Sequence, residues 1–122
     1  MKAVVQRASE ASAVVEGVIV VALPSGLIVY LGVAKGDGHV DADWLADKIA
    51  GLRIFEDADE KMNLSVLDVG GGVLTISQFT LLADARKGRR PSYDDAAGPV
   101  EATKLYEYFK KKIAEKVPLT AC

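Results

Sequence analysis

Val73-Leu74-Thr75-Ile76-Ser77-Gln78-Phe79-Thr80-Leu81-Leu82 carries the clearest strand signal in the chain. A short apolar run rich in β-branched residues predicts a strand rather than a helix. Ser77, Gln78 and Thr80 interrupt its apolar character. A polar group buried without a partner costs about 1–3 kcal/mol. The interruption therefore reads as a satisfied core network, an edge strand, or a site. In a straight strand Ser77 and Phe79 share one face, and Gln78 and Thr80 the other. All four serve one pocket only if the strand bends or some act through backbone N–H groups.

Upstream, Gly70-Gly71-Gly72 predicts a bend; it leads into a strand, which argues against a phosphate-cradling helix entry. Lys2 to Ala8 reads as a strand. Ser12 to Val21 reads as a hairpin split at Glu16-Gly17, and Leu27 to Val33 as a buried strand. Asp41 is a helix cap, followed by the stripe Leu45, Ile49 and Leu52. Arg53-Ile54-Phe55 reads as a short strand, and Asp57 to Asn63 as a loop. Downstream, Asp84 to Asp95 is polar. Pro99 opens a second helix with the stripe Ala102, Leu105, Phe109 and Ile113. Lys110, Lys111, Lys112 and Lys116 lie near its end, where the dipole favours cations. This order predicts an α+β fold: compact, barrel-like mixed β-sheet layers with two main helices packed on one side. Residues 1–122 are expected to form a single domain.

Half of the 122 residues are hydrophobic, enough for a core without staples. The net charge of −2 means that any nucleic-acid contact must come from a local patch. Arg86-Lys87-Gly88-Arg89-Arg90 supplies one, four cations in five residues, and reads equally as a phosphate contact or a solvated loop. Arg7 sits in an apolar strand, so its guanidinium must emerge at an end or meet an acceptor. The single cysteine, Cys122, fits a reducing cytosol. The start is too soon polar for a signal peptide, and no apolar run reaches the roughly 20 residues that span a bilayer. A cytoplasmic protein is expected.

His39 is the only histidine. It precedes a helix, so a helix-entry or surface place is expected, and a Ser-His-Asp or Cys-His arrangement is nearly excluded. Asp57, Asp59 and Glu60 do not match a calcium-loop spacing. No metal and no cofactor are expected.

Gln6-Arg7, Arg53-Ile54-Phe55, Lys61-Met62-Asn63-Leu64, Ser77-Gln78-Phe79-Thr80-Leu81 and Arg90-Pro91-Ser92-Tyr93 occur together in this order. In this the chain resembles the D-aminoacyl-tRNA deacylases from Met1 to about Lys116. The resemblance implies hydrolysis of the ester between a D-amino acid and the terminal adenosine of tRNA, with mischarged glycine as a second substrate. It implies a cytoplasmic homodimer. It places Ser77, Gln78, Phe79 and Thr80 at the catalytic pocket, and Gln6, Arg7, Met62 and Leu81 at the substrate. Arg86, Lys87, Arg89 and Arg90 would hold tRNA. The family continues beyond the position of Cys122 into an Asn-x-Gly-Pro element that enters the partner's pocket and rejects L-amino acids. Gly98-Pro99 opens a helix and is not that element, so a C-terminally shortened domain is expected. A non-catalytic tRNA-end-binding remnant is the alternative.

Thr80 has no His, Asp or Glu beside it in sequence, and an unassisted hydroxyl is a poor nucleophile. Positioned water and backbone amides, with help from the neighbouring ribose hydroxyl, are the expected machinery.

Overall fold

The computed structural model describes residues 1–8, 11–15, 18–23, 26–84, 86, 92–118 and 120–121, with backbone alone for 11–15, 18–23 and 121. Strands β1 (Lys2–Ala8), β4 (Gly26–Gly32), β7 (Gly72–Ser77) and β8 (Thr120–Ala121) form a mixed sheet in the order β1-β4-β7-β8. β1 is antiparallel to β4, while β7 is parallel to both β4 and β8. Parallel neighbours need a crossover. Here helix α1 (His39–Gly51) and the hairpin β5 (Phe55–Glu56) and β6 (Met62–Leu64) provide it between β4 and β7. A second hairpin, β2 (Ala11–Val15) and β3 (Val18–Leu23), matches the expected pairing; Glu16-Gly17 lie outside the described residues. Helix α2 (Pro99–Lys116) follows β7.

The sheet face carrying Leu27, Val29, Leu31 and Val73 packs with Ala42, Ala46 and Ile49 of α1 and Leu105, Phe109 and Ile113 of α2, all essentially buried. Leu74 is buried on the opposite face with Ile28, Ile76 and Ala8 around it. Both helices thus lie against one face of a mixed sheet, the expected α+β arrangement. The sheets do not close into a barrel among the described residues.

The strand expected at Arg53-Ile54-Phe55 lies instead at Phe55–Glu56, and it pairs with Met62–Leu64, so part of the expected loop Asp57 to Asn63 is strand. Three further details depart from the sequence reading. Gly38 is the N-cap of α1; Asp41 sits three residues in, and its carboxylate accepts the Gly38 N–H at 2.8 Å. The buried stripe of α1 is Ala42, Ala46, Ile49 and Ala50, with Leu45 at its margin and Leu52 past the helix end. Alanines serve because they let the larger side chains of α2 approach closely. The predicted strand over 73–82 stops at Ser77 and becomes a 3-10 helix over Phe79–Leu82.

Cross-ties hold the helices together. The His39 ring stacks on Tyr108 at 4.0 Å, so His39 occupies the helix-entry place expected of it. The Tyr108 hydroxyl donates to Asp43 at 2.7 Å, which raises the phenol's pKa. Lys116 pairs with Asp47 at 3.1 Å.

Gly26 has φ +143°, and a Cβ built there would collide with the carbonyl oxygen of Gly72, its partner in the ladder. Gly26→Ala is expected to lower the unfolding free energy by about 2 kcal/mol or more, from backbone strain and overpacking together. Urea unfolding checks this; a wild-type midpoint would show that the two strands tolerate separation.

Candidate functional site

The parallel ladder ends where Leu31 faces Ser77, and its last bond runs from the Gln78 N–H to the Leu31 carbonyl at 2.8 Å. The chain then turns. Leu82 is buried against Gly32, where a Cβ would meet its Cδ2. That anchor pulls the chain into the 3-10 helix and leaves Phe79 59% exposed. Ser77 and Thr80 are exposed and Gln78 half-buried, so the polar interruption is not a buried network. Gln78 Nε2 donates to Thr80 Oγ1. The N–H groups of Phe79 and Thr80 meet no acceptor among the described residues.

A second segment comes from the loop after the basic run. Ala34 bridges Ala96, the Lys35 N–H donates to Asp95 at 2.9 Å, and the Ala97 N–H donates to Val33 at 2.9 Å. The chain continuing from β4 thus holds residues 95–97 beside the end of β7. Tyr93 meets Phe79 edge-on at 5.3 Å. The third segment is α2, tied to the sheet by the Tyr106 hydroxyl, which donates to the Thr75 carbonyl at 2.9 Å.

These segments enclose a cavity of about 630 Å³ lined by Ser77, Phe79, Ala96, Ala97, Pro99, Ala102, Thr103, Tyr106 and Glu107. A mostly apolar cleft of this size with a few polar groups suits a small organic substituent. Of the residues expected at the site, Ser77 and Phe79 line it, with Gln78, Thr80 and the half-buried Leu81 in the same turn. Gln6 and Arg7 are exposed on β1, opposite Ile28 and Leu27. Leu27 in turn faces Val73, so Arg7 stands four positions along the sheet from Ser77, roughly 13 Å at about 3.3 Å per residue. Arg7 is exposed one residue before the end of β1. Met62 lies exposed on β6 and does not line the cavity. The α2 wall, Thr103, Tyr106 and Glu107, escaped the sequence reading, because only helix docking brings it to β7; Ala102 was legible there solely as a core position.

Of the basic run only Arg86 is described; Lys87, Arg89 and Arg90, with Pro91, lie outside the described residues. The loop is closed at its base by reciprocal bonds between Asp84 and Ser92 at 2.7 and 2.6 Å. Arg86 grips the Asp84 carboxylate with Nε and Nη2 at 3.0 and 2.7 Å. That side-chain grip, then the Arg86 backbone N–H, brings the Asp84 pKa down to about 2. Asp57 turns inward to the backbone in the same way, accepting the N–H groups of Asp59 and Lys61, so the acidic loop is self-capped. No group of three or more potential metal ligands occurs among the described residues, and no described helix is long and apolar enough to cross a membrane.

The fold is shared with a solved structure named c-Myc DNA Unwinding Element Binding Protein. That match has a TM-score of 0.91 at 32% identity, covering 100% of this chain and 85% of that one. A probable eukaryotic D-amino acid tRNA deacylase has the same fold, with a TM-score of 0.76 at 16% identity over 96% and 68% of the two chains. A family model described as D-Tyr-tRNA(Tyr) deacylase matches residues 4–121. The D-aminoacyl-tRNA deacylase of Koribacter versatilis is 60% identical over 116 residues, 95% of this chain and 78% of that protein. That of Geotalea uraniireducens is 59% identical over 115 residues, 94% and 74%. The chain belongs to the D-Tyr-tRNA(Tyr) deacylase family.

The Asp84 pair yields a direct expectation. A depressed carboxylate stabilises the fold fully above its unfolded value and loses that contribution as pH falls through its folded value. The Asp84 carboxyl carbon, followed by NMR, should titrate at about 2, and Arg86→Ala should return it toward the ordinary 3.8. The pair is solvent-exposed, so global stability should change little. An unmoved midpoint in the variant would remove Arg86 as the cause.

Proposed function

We propose that the chain hydrolyses the ester of D-aminoacyl-tRNA, and of glycine mischarged on tRNA, releasing the free amino acid and tRNA. The observation that carries this reading is that Ser77 and Phe79, within the element expected to bear the chemistry, wall a substrate-sized cavity in a chain matching the family over residues 4–121. The non-catalytic remnant is not favoured, since the curated relatives are named as deacylases. The reading includes a cytoplasmic homodimer, with tRNA held by Arg86, Lys87, Arg89 and Arg90. β1 stands at an edge of the main sheet, a surface suited to a second copy.

The mechanism follows from what surrounds Thr80. Its oxygen accepts from the Gln78 amide, which cannot take a proton, so the hydroxyl has no base in the turn. Water adds to the ester carbonyl. The N–H groups of Phe79 and Thr80 supply donors for the oxyanion, and collapse breaks the ester C–O bond. The proton lost by the added water is relayed through the neighbouring ribose hydroxyl to the departing ribose oxygen, leaving a free carboxylic acid and a ribose hydroxyl. Holding an activated ester in this geometry replaces strong acid–base chemistry.

Incubation with D-tyrosyl-tRNA and L-tyrosyl-tRNA tests the activity: the D ester should be released, and release of neither sinks the reading. Thr80→Ala should keep deacylation within about tenfold. A fall of about 10²-fold or more, the size of a lost proton-transfer group, with binding intact would give the hydroxyl a chemical role.

A further inference from the structure

Eight of the nine residues lining the cavity are uncharged; the ninth is Glu107. Its Oε1 pairs with Lys110 Nζ at 2.9 Å. The same lysine lies 4.8 Å from the centre of the Tyr106 ring. The ammonium of Lys110 is thereby held on the Tyr106 side, while Oε2 of Glu107 is engaged by no described residue. Tyr106 is fixed by its bond to Thr75, two residues before Ser77, so this part of α2 keeps a set distance from the strand end. The cavity therefore has the strand end and its turn as one wall and α2, with Glu107 as its charged residue, as another.

An aminoacyl ester has matching polarity. Its α-ammonium lies two bonds from the reacting carbonyl carbon and is largely protonated at neutral pH. It is the only cation on that part of the substrate, and a single carboxylate in an otherwise neutral cleft fixes orientation more than it adds affinity. We infer that Glu107 is a specificity-determining residue that receives the substrate's α-ammonium group through Oε2, an inference that rests on reading the cavity as the ester site. Lys110 then acts as a competitor that tempers the carboxylate.

The test compares D-tyrosyl-tRNA with N-acetyl-D-tyrosyl-tRNA, which lacks the charge, in steady-state kinetics of wild type, Glu107→Gln and Lys110→Met. Glu107→Gln should raise KM for the free-amine ester roughly two- to fivefold at unchanged kcat, the size expected of an exposed charge pair. It should leave the acetylated ester unaffected. Lys110→Met should lower KM for the free-amine ester alone. Equal changes on both esters, or no change in KM with either variant, overturn the inference while wild-type deacylation stands. Wild-type protein that releases neither ester overturns the underlying reading of the cavity, and the inference with it.

Discussion

The parallel pairing of β4 with β7 is the constraint on which the rest of the molecule depends. The two strands are buried on their helix-facing side and largely covered on the other, so their backbone groups must find each other. The pair of glycines at its start, Gly26 and Gly72, allows backbones to meet where side chains could not fit. From there the register carries Leu27, Val29 and Leu31 of β4 and Val73 of β7 onto the helix-facing side. The ladder closes with the Gln78 N–H on Leu31, and the 3-10 turn over Phe79–Leu82 begins just beyond that bond.

The same line of chain organises both walls of the cavity. β4 runs on past Gly32 into Val33–Lys35, which binds residues 95–97 by main-chain bonds. On the other side β7 gives way to the 3-10 helix because Leu82 fills the space that Gly32 leaves open. α2 completes the enclosure, pinned by Tyr106 to Thr75 and by Phe109 and Ile113 to the core. A cavity built from three such segments is positioned by packing rather than by any one loop. Catalysis that relies on orientation needs such support, since small displacements cost large factors in rate.

Charge is distributed in keeping with that economy. The lysines on the last turns of α2 are drawn into pairs: Lys110 with Glu107, Lys112 with Glu115 and Lys116 with Asp47. Exposed pairs of this kind contribute little to stability, but they remove most of the positive field that the sequence suggests there. Arg86 is likewise paired with Asp84, though its side chain stays largely in solvent.

By itself the sequence determined the order of the main strands and helices, the α+β class and the apolar face of α2, because periodicity and turn chemistry are local properties. It left the polar interruption over Ser77 to Leu81 open to a structural reading; its assembled motifs assigned the family and, through that resemblance, made this stretch the expected site. It could not show that the strand ends at Ser77, because propensity favours continuing through Phe79 and Leu81; the burial of Leu82 against Gly32 overrides it. It could not separate Arg7 from Ser77, which depends on strand register. The wall of Thr103, Tyr106 and Glu107 was invisible for the same reason. Residues some thirty positions apart, such as Ser77 and Glu107, become neighbours only when α2 docks across the sheet. Only the tertiary structure decides such contacts, because they follow from the packing of whole elements rather than from any local pattern.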